Sequence, residues 1–200
     1  MILKELDPFR GGEADVAARL QADRMAYYLR RYFRRSTEVD VLNDLQVPSG
    51  HVTASIDHLL LHPFGFLLIA REPLSGAIRI DGEGRWQRWE HGVLIDTGSP
   101  ITRAYVQVLL MKSFLDRRVQ QRGFFDRLEL DVLVVVPDEV PIQWPATGAL
   151  VEVCRREEVM ERAERRFQHF RQAAGGPGPL NQAERQVLGE FLCRSHKPAA

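Results

Sequence analysis

Ser55-Ile56-Asp57-His58-Leu59-Leu60-Leu61-His62-Pro63-Phe64-Gly65-Phe66-Leu67-Leu68-Ile69-Ala70-Arg71-Glu72 reads as two strands folded back on a tight turn. The flanks, Val52 to Leu61 and Phe66 to Glu72, are rich in the aliphatic and aromatic residues that suit a pleated, buried surface. Between them, Pro63 presets one φ angle and Gly65 is free to take the left-handed conformation that closes a loop. Asp57 is the anomaly. A carboxylate inside an apolar strand must be hydrogen-bonded, moved to an edge or bound to a cation. Register decides what faces it. A loop of residues 63–64 or 62–65 sets Asp57 opposite Ala70 and Ser55 opposite Glu72, with Asp57 and Glu72 diagonal on one face. A three-residue loop instead brings Asp57 opposite Arg71.

Working outward, Val39 to Asn43 is a further strand, bounded by Pro48-Ser49-Gly50. Before it, residues 13–35 predict a helix in which Val16, Leu20, Tyr27 (or Tyr28) and Leu29 recur at helical spacing. That helix ends in Arg30, Arg31, Arg34 and Arg35, which suit the negative end of its dipole. After the hairpin, Ala77 to Ile80 and Val93 to Ile95 are short strands around Trp86 and Trp89, two rings expected to cover a core edge. Ser99-Pro100 then opens a second helix with a predicted buried stripe of Val106, Leu109, Leu110, Ser113 and Phe114. Leu128 to Val136 reads as a strand buried on both faces. Beyond Pro137 the texture changes to a loop, a short strand at 149–154, a charged helix at 155–173 and a last helix at 181–195. The fold class is therefore α/β, a central mixed sheet flanked by helices. Residues 1–137 form the core and 138–200 a mainly helical extension packed on it.

The chain has 200 residues, 27 basic against 27 acidic, so no global positive field draws it to nucleic acid. Its lysines are Lys4, Lys112 and Lys197 alone; the remaining positive charge is arginine. Cys154 and Cys193 are far apart and read as small buried hydrophobes rather than a disulfide. The start is charged by its fourth residue, and no apolar run approaches the length of about 18 residues that spans a bilayer. The expectation is a soluble, cytoplasmic protein with no membrane partner.

The ordered series of motifs resembles the nuclease-related (NERD) domain, a branch of the PD-(D/E)xK endonuclease superfamily. Gly12-Glu13 with Val16 and Leu20 is similar to that family's opening helix, Asn43-Asp44 to its N-D strand, and Ile56-Asp57-His58 to its I-D-H motif. Gly65, Gly76, Ile78, Trp86 and Pro100 follow in the family's order. The likeness runs from about residue 9 to about residue 135. It implies a restriction-endonuclease-like fold with a helix-strand-strand-strand-helix-strand core, and a site where two carboxylates hold Mg²⁺ beside a lysine that orients the attacking water. The family's Glu-x-Lys, however, falls on Ala70 and Glu72 here, and its N-P-x-x-Q pattern decays to Ser99-Pro100-Ile101-Thr102-Arg103.

Three readings follow. In the first, the chain is a degenerate nuclease-related domain that binds DNA or RNA or acts in regulation, with no cofactor. In the second, it is an active Mg²⁺-dependent endonuclease whose catalytic residues are Glu13, Asp57 and a displaced Glu72, with Asp57 and Glu72 as metal ligands. In the third, it is a protein-interaction module. Arg117, Arg118 and Arg122 are the candidate phosphate contacts, diluted by Asp116 and Asp126. Lys112, in the second helix, is the only lysine inside the core region to set against the missing one, and Arg71, on the face away from Asp57 in the favoured register, is too strongly basic to act as a base. His58 is expected in a core or supporting role, since adjacent strand residues face opposite ways.

Overall fold

The hairpin read from residues 52–72 lies in the middle of a six-stranded mixed sheet. The computed structural model describes residues 1–12, 15–72, 76–119 and 123–198. In chain order the elements are β1 (Ile2–Lys4), α1 (Val16–Phe33), β2 (Asp40–Ser49), β3 (Val52–His62), β4 (Gly65–Arg71), β5 (Ile78–Ile80), β6 (Trp86–Glu90) and β7 (Val93–Asp96). These are followed by α2 (Pro100–Arg118), β8 (Glu129–Val136), β9 (Ile142–Gln143), β10 (Val153–Arg155), α3 (Val159–Ala174) and α4 (Gln182–Ser195). The large sheet runs β1-β2-β3-β4-β8-β10; a second sheet runs β7-β6-β5-β9. Within the large sheet β2, β3 and β4 are antiparallel neighbours, while β8 joins β4 in parallel. Residues after Val136 add a strand to each sheet, β10 beside β8 and β9 beside β5. Among the described residues no helix is long and apolar enough to cross a membrane.

Helices cover both faces of the large sheet and divide the core in two. On one face Leu59, Leu61, Phe66, Leu68 and Val132 pack under α2 and α4. On the other, Leu60, Leu67, Ile69 and Leu133 pack under α1 and α3. Strict alternation along β4 and β8 produces this split, and it explains why the strands read as continuous apolar runs: both faces are covered. Ser99 caps α2, its side chain accepting from the Thr102 N–H, with Pro100 at the first helical position as predicted.

Of the stripe predicted for each main helix, Leu29 in α1 and Phe114 in α2 are buried, but most of the inward face is made by other residues. In α1 the buried residues are Ala22, Met25, Ala26, Leu29 and Phe33, leaving Val16, Leu20, Tyr27 and Tyr28 exposed. In α2 they are Pro100, Ala104, Val108, Met111, Phe114 and Leu115, with Val106 and Leu109 exposed. Each sequence contains two stripes at helical spacing, and packing against the sheet selects between them. Trp86 is wholly buried in the core while Trp89 is half exposed, so only one of the two rings does the covering. Strand β2 runs on through Pro48 to Ser49. It tolerates the proline because short β1 pairs only near Val41 and Leu42 and leaves the far end of β2 open on that side.

The hairpin turn is the two-residue form, Pro63-Phe64, with His62 paired to Gly65. Gly65 has φ +149°, and a Cβ there would stand 2.2 Å from the Glu129 carbonyl oxygen of β8. Both constraints demand glycine. Gly65→Ala should therefore lower unfolding stability by about 2 kcal/mol or more, read as a fall in the urea midpoint at unchanged slope; a loss within experimental error would mean that β8 can back away.

His62 is buried beside Phe64, Phe167 and Phe170, and burial, with the nearby Arg185 charge, lowers its pKa to about 3. The unfolded chain takes up this proton near pH 6.5 and the folded one near 3, so stability falls as pH drops through that window. Replacing it by phenylalanine should flatten the stability–pH slope between about pH 4 and 6 by up to about 1.4 kcal/mol per pH unit. Urea unfolding across that range checks this, and an unchanged slope would refute it.

Candidate active site

The strand alternation breaks at one level of the sheet. Leu42 and Leu45 of β2 face the same core, as do Ile56 and Leu59 of β3, although each pair is three residues apart. The β2–β3 pairing runs Asn43 to His58 and resumes at Leu45 to Ile56, skipping Asp44 and Asp57. Asp44 has φ +51°, a conformation that a short polar side chain tolerates. One irregular residue on each strand thus flips the phase of both without slipping their register.

Asp57 lies at that flip. The β3–β4 pairing is the register favoured from sequence, His58 with Ile69, but it stops there. Beyond it the Asp57 carboxylate takes over from the backbone: its Oδ2 accepts the Arg71 N–H at 2.8 Å and its Oδ1 accepts Arg71 Nη2 at 2.6 Å. Arg71 in turn donates from Nη1 to the Ala18 carbonyl of α1 at 2.8 Å. Arg71 therefore does not point away from Asp57, as the unbroken alternation predicts. It clasps it.

Glu72 goes elsewhere. Its N–H continues β4 by bonding the Val135 carbonyl at 2.9 Å, and its carboxylate pairs with Arg103 of α2 at 2.7 Å. Asp57 and Glu72 are thus held by different arginines, one anchored to α1 and the other belonging to α2, and do not share a face as expected. Ala70 lies between them and offers no ligand. Glu13, the third expected acid, lies outside the described residues, as does Arg122 among the candidate phosphate contacts. Lys112 cannot stand in for the missing lysine, because its Nζ is taken by Asp116 at 2.8 Å and Asp126 at 2.7 Å. Those carboxylate bonds raise its pKa above the usual lysine value and keep it charged. Arg117 bonds the hydroxyls of Ser113 and Ser49, and Arg118 lies over the Phe114 ring.

Behind Asp57, His58 is fully buried and donates from Nδ1 to Asn43 Oδ1 at 2.8 Å. Asn43 Nδ2 donates to the Lys4 carbonyl, which leaves its oxygen as the acceptor and puts the histidine proton on Nδ1. Burial lowers the His58 pKa to about 3, partly offset by Asp57, so the ring is neutral and structural.

The family model of the nuclease-related domain matches residues 12–137. The chain belongs to that family. Searches of curated proteins and of solved structures find no match. For a nuclease-related domain the implied group is a divalent cation, and the described donors do not fit one: Asp57 is closed by a guanidinium, Ala70 has no oxygen, and Glu72 is turned to α2. Among the described residues no three His, Cys, Asp or Glu side chains are placed to hold a metal ion. The residues that sequence reasoning missed are Arg103 and the true place of Arg71. The only signal for Arg71 lay in the rejected three-residue loop, and nothing linear pointed to Arg103.

A clasped carboxylate and an idle metal ligand respond oppositely to removal. Asp57→Ala leaves the Arg71 N–H and guanidinium without their acceptor and should destabilise the domain by about 1–3 kcal/mol. Glu72→Ala loses a half-exposed ion pair and should cost under about 1 kcal/mol. Urea unfolding compares them; a neutral or stabilising Asp57→Ala would mean that the carboxylate is strained for function.

Proposed function

We propose that this nuclease-related domain binds nucleic acid and does not cut it. The observation that carries the reading is the two-point clasp of Asp57 by Arg71. A cation competing for that carboxylate would have to displace a guanidinium and a backbone N–H together. No second acid stands beside it among the described residues, because Glu72 is held by Arg103. Phosphodiester hydrolysis in such folds needs a metal to stabilise charge on the phosphorus oxygens and a base or orienting cation for water. Alanine at position 70 and glutamate at position 72 supply neither. What remains is the family's ancestry in nucleic-acid processing and a surface that is strongly basic in places despite a formal net charge of zero.

Purified protein incubated with plasmid and with single-stranded circular DNA, plus Mg²⁺ or Mn²⁺, should leave both intact, while fluorescence anisotropy with labelled oligonucleotides should detect binding. Affinity should fall by orders of magnitude between about 50 and 200 mM salt if several phosphates are neutralised. Metal-dependent cleavage abolished by Asp57→Ala would overturn the reading in favour of an all-carboxylate endonuclease. No binding at low salt would overturn it in favour of a protein-interaction role.

A further inference from the structure

We propose that the outward face of α1, completed by Arg156, is a docking surface for single-stranded nucleic acid. This rests on the nucleic-acid reading above and names its surface. Residues 16–35 hold six arginines (Arg19, Arg24, Arg30, Arg31, Arg34 and Arg35) against one acid, Asp23. Arg19 is paired with Asp23 and Arg30 with Glu5. Arg24, Arg31, Arg34 and Arg35 make no ion pair among the described residues. A chain whose formal charges sum to zero therefore concentrates positive charge on one helix.

Aromatic rings share that face. Arg24, Tyr27, Tyr28, Arg31 and Tyr32 follow the spacing of one helical stripe, which is where an amphipathic helix would put its core residues. Here the core stripe is separate, from Ala22 to Phe33, and Tyr27 and Tyr28 are 56% and 44% exposed. Tyr32, itself 51% exposed, leans toward Glu164 of α3, and Tyr27 and Tyr28 are the rings that line a cleft with Arg156. They meet edge to face, with centroids 6.1 Å apart, and the Arg156 guanidinium lies 5.9 Å from the Tyr28 ring centre. Arg24, Tyr27, Tyr28 and Arg156, with the already paired Asp23, line a cleft of about 490 Å³. Next to it a smaller cavity is lined by Arg24, Arg71 and Arg156 together with Asp138 and Glu139, and Asp138 accepts from Arg156 Nη2 at 3.0 Å.

Arginines alternating with open aromatic rings suit a single strand, whose backbone pairs with guanidinium and whose unpaired bases stack on tyrosine. A duplex hides its base faces. An anionic lipid surface would take a helix with an apolar stripe to insert, and the main apolar stripe of α1 is buried against the sheet.

The test is anisotropy titration of the full chain with a labelled oligothymidylate, with a duplex of equal length and with anionic phospholipid vesicles. The variants are Tyr27→Ala/Tyr28→Ala, Tyr27→Phe/Tyr28→Phe, Arg24→Glu and, for comparison, Arg117→Ala/Arg118→Ala. The expected result is tighter binding of the single strand than of the duplex, and a loss of roughly five- to hundredfold in the double-alanine variant. The phenylalanine pair should bind like the unaltered protein, because the ring faces remain, and Arg24→Glu should weaken binding and reduce the salt slope by about 1. These residues are exposed, so unchanged thermal melting certifies the fold of each variant. Single-strand binding that ignores the α1 variants overturns the α1 surface but leaves the nucleic-acid reading standing. Absence of oligonucleotide binding at low salt overturns both, as does binding to vesicles alone.

Discussion

One constraint organises this protein: strands β2 and β3 must change phase together, at Asp44 and Asp57, so that both ends of the pair bury aliphatic side chains. Side-chain direction in a strand has period two, and a single extra residue would turn every later leucine to the wrong face. Placing an irregular residue on each strand at the same level cancels the slip. Leu42 and Leu59 then share one core with Leu45 and Ile56 across the break. The aspartates are the residues left out of the ladder, and each finds a local use. Asp44 adopts the left-handed backbone, and Asp57 replaces missing backbone acceptors for Arg71.

From that break follow the electrostatics of the site. Arg71 satisfies Asp57 and then ties β4 to α1 through the Ala18 carbonyl, so one guanidinium joins strand, strand and helix. Arg103 performs the corresponding service between Glu72 and α2, also donating to the Thr97 carbonyl. In a chain with so few lysines, arginine is the general fastener. Its planar, permanently charged fork bonds a carboxylate and a carbonyl at once, which an ammonium does less well. The same property makes it unfit to replace a catalytic lysine that must orient or deprotonate water.

A global charge of zero says little about where charge lies. Acids are spent on arginines within the fold, at Asp57, Glu72 and Asp131, whereas the first long helix keeps several arginines unspent. The division is also geometric. These paired acids lie on strands or strand ends, near elements that carry arginine, and several arginines that make no ion pair among the described residues lie on the exposed side of α1.

Much was legible in the linear sequence, because it depended on local chemistry. The strands announced themselves by aliphatic runs bounded by proline and glycine, the second helix by Ser99-Pro100, and the hairpin register by the Pro63-Phe64-Gly65 turn. The family resemblance rested on the order of short motifs, which folding does not alter. The faces of α1 and α2 were not legible, since each sequence offers two stripes and only packing against the sheet selects one. Nor was the fate of Asp57, for period-two reasoning assumes an unbroken strand, and the break is set by pairing with β2. By itself the sequence determined the main helices and the long strands of the large sheet, though not the short β1 and β9, and that the expected glutamate and lysine are missing. Only the tertiary structure decided that Asp57 and Glu72 are drawn apart, because side-chain direction across a sheet depends on a partner strand distant in sequence.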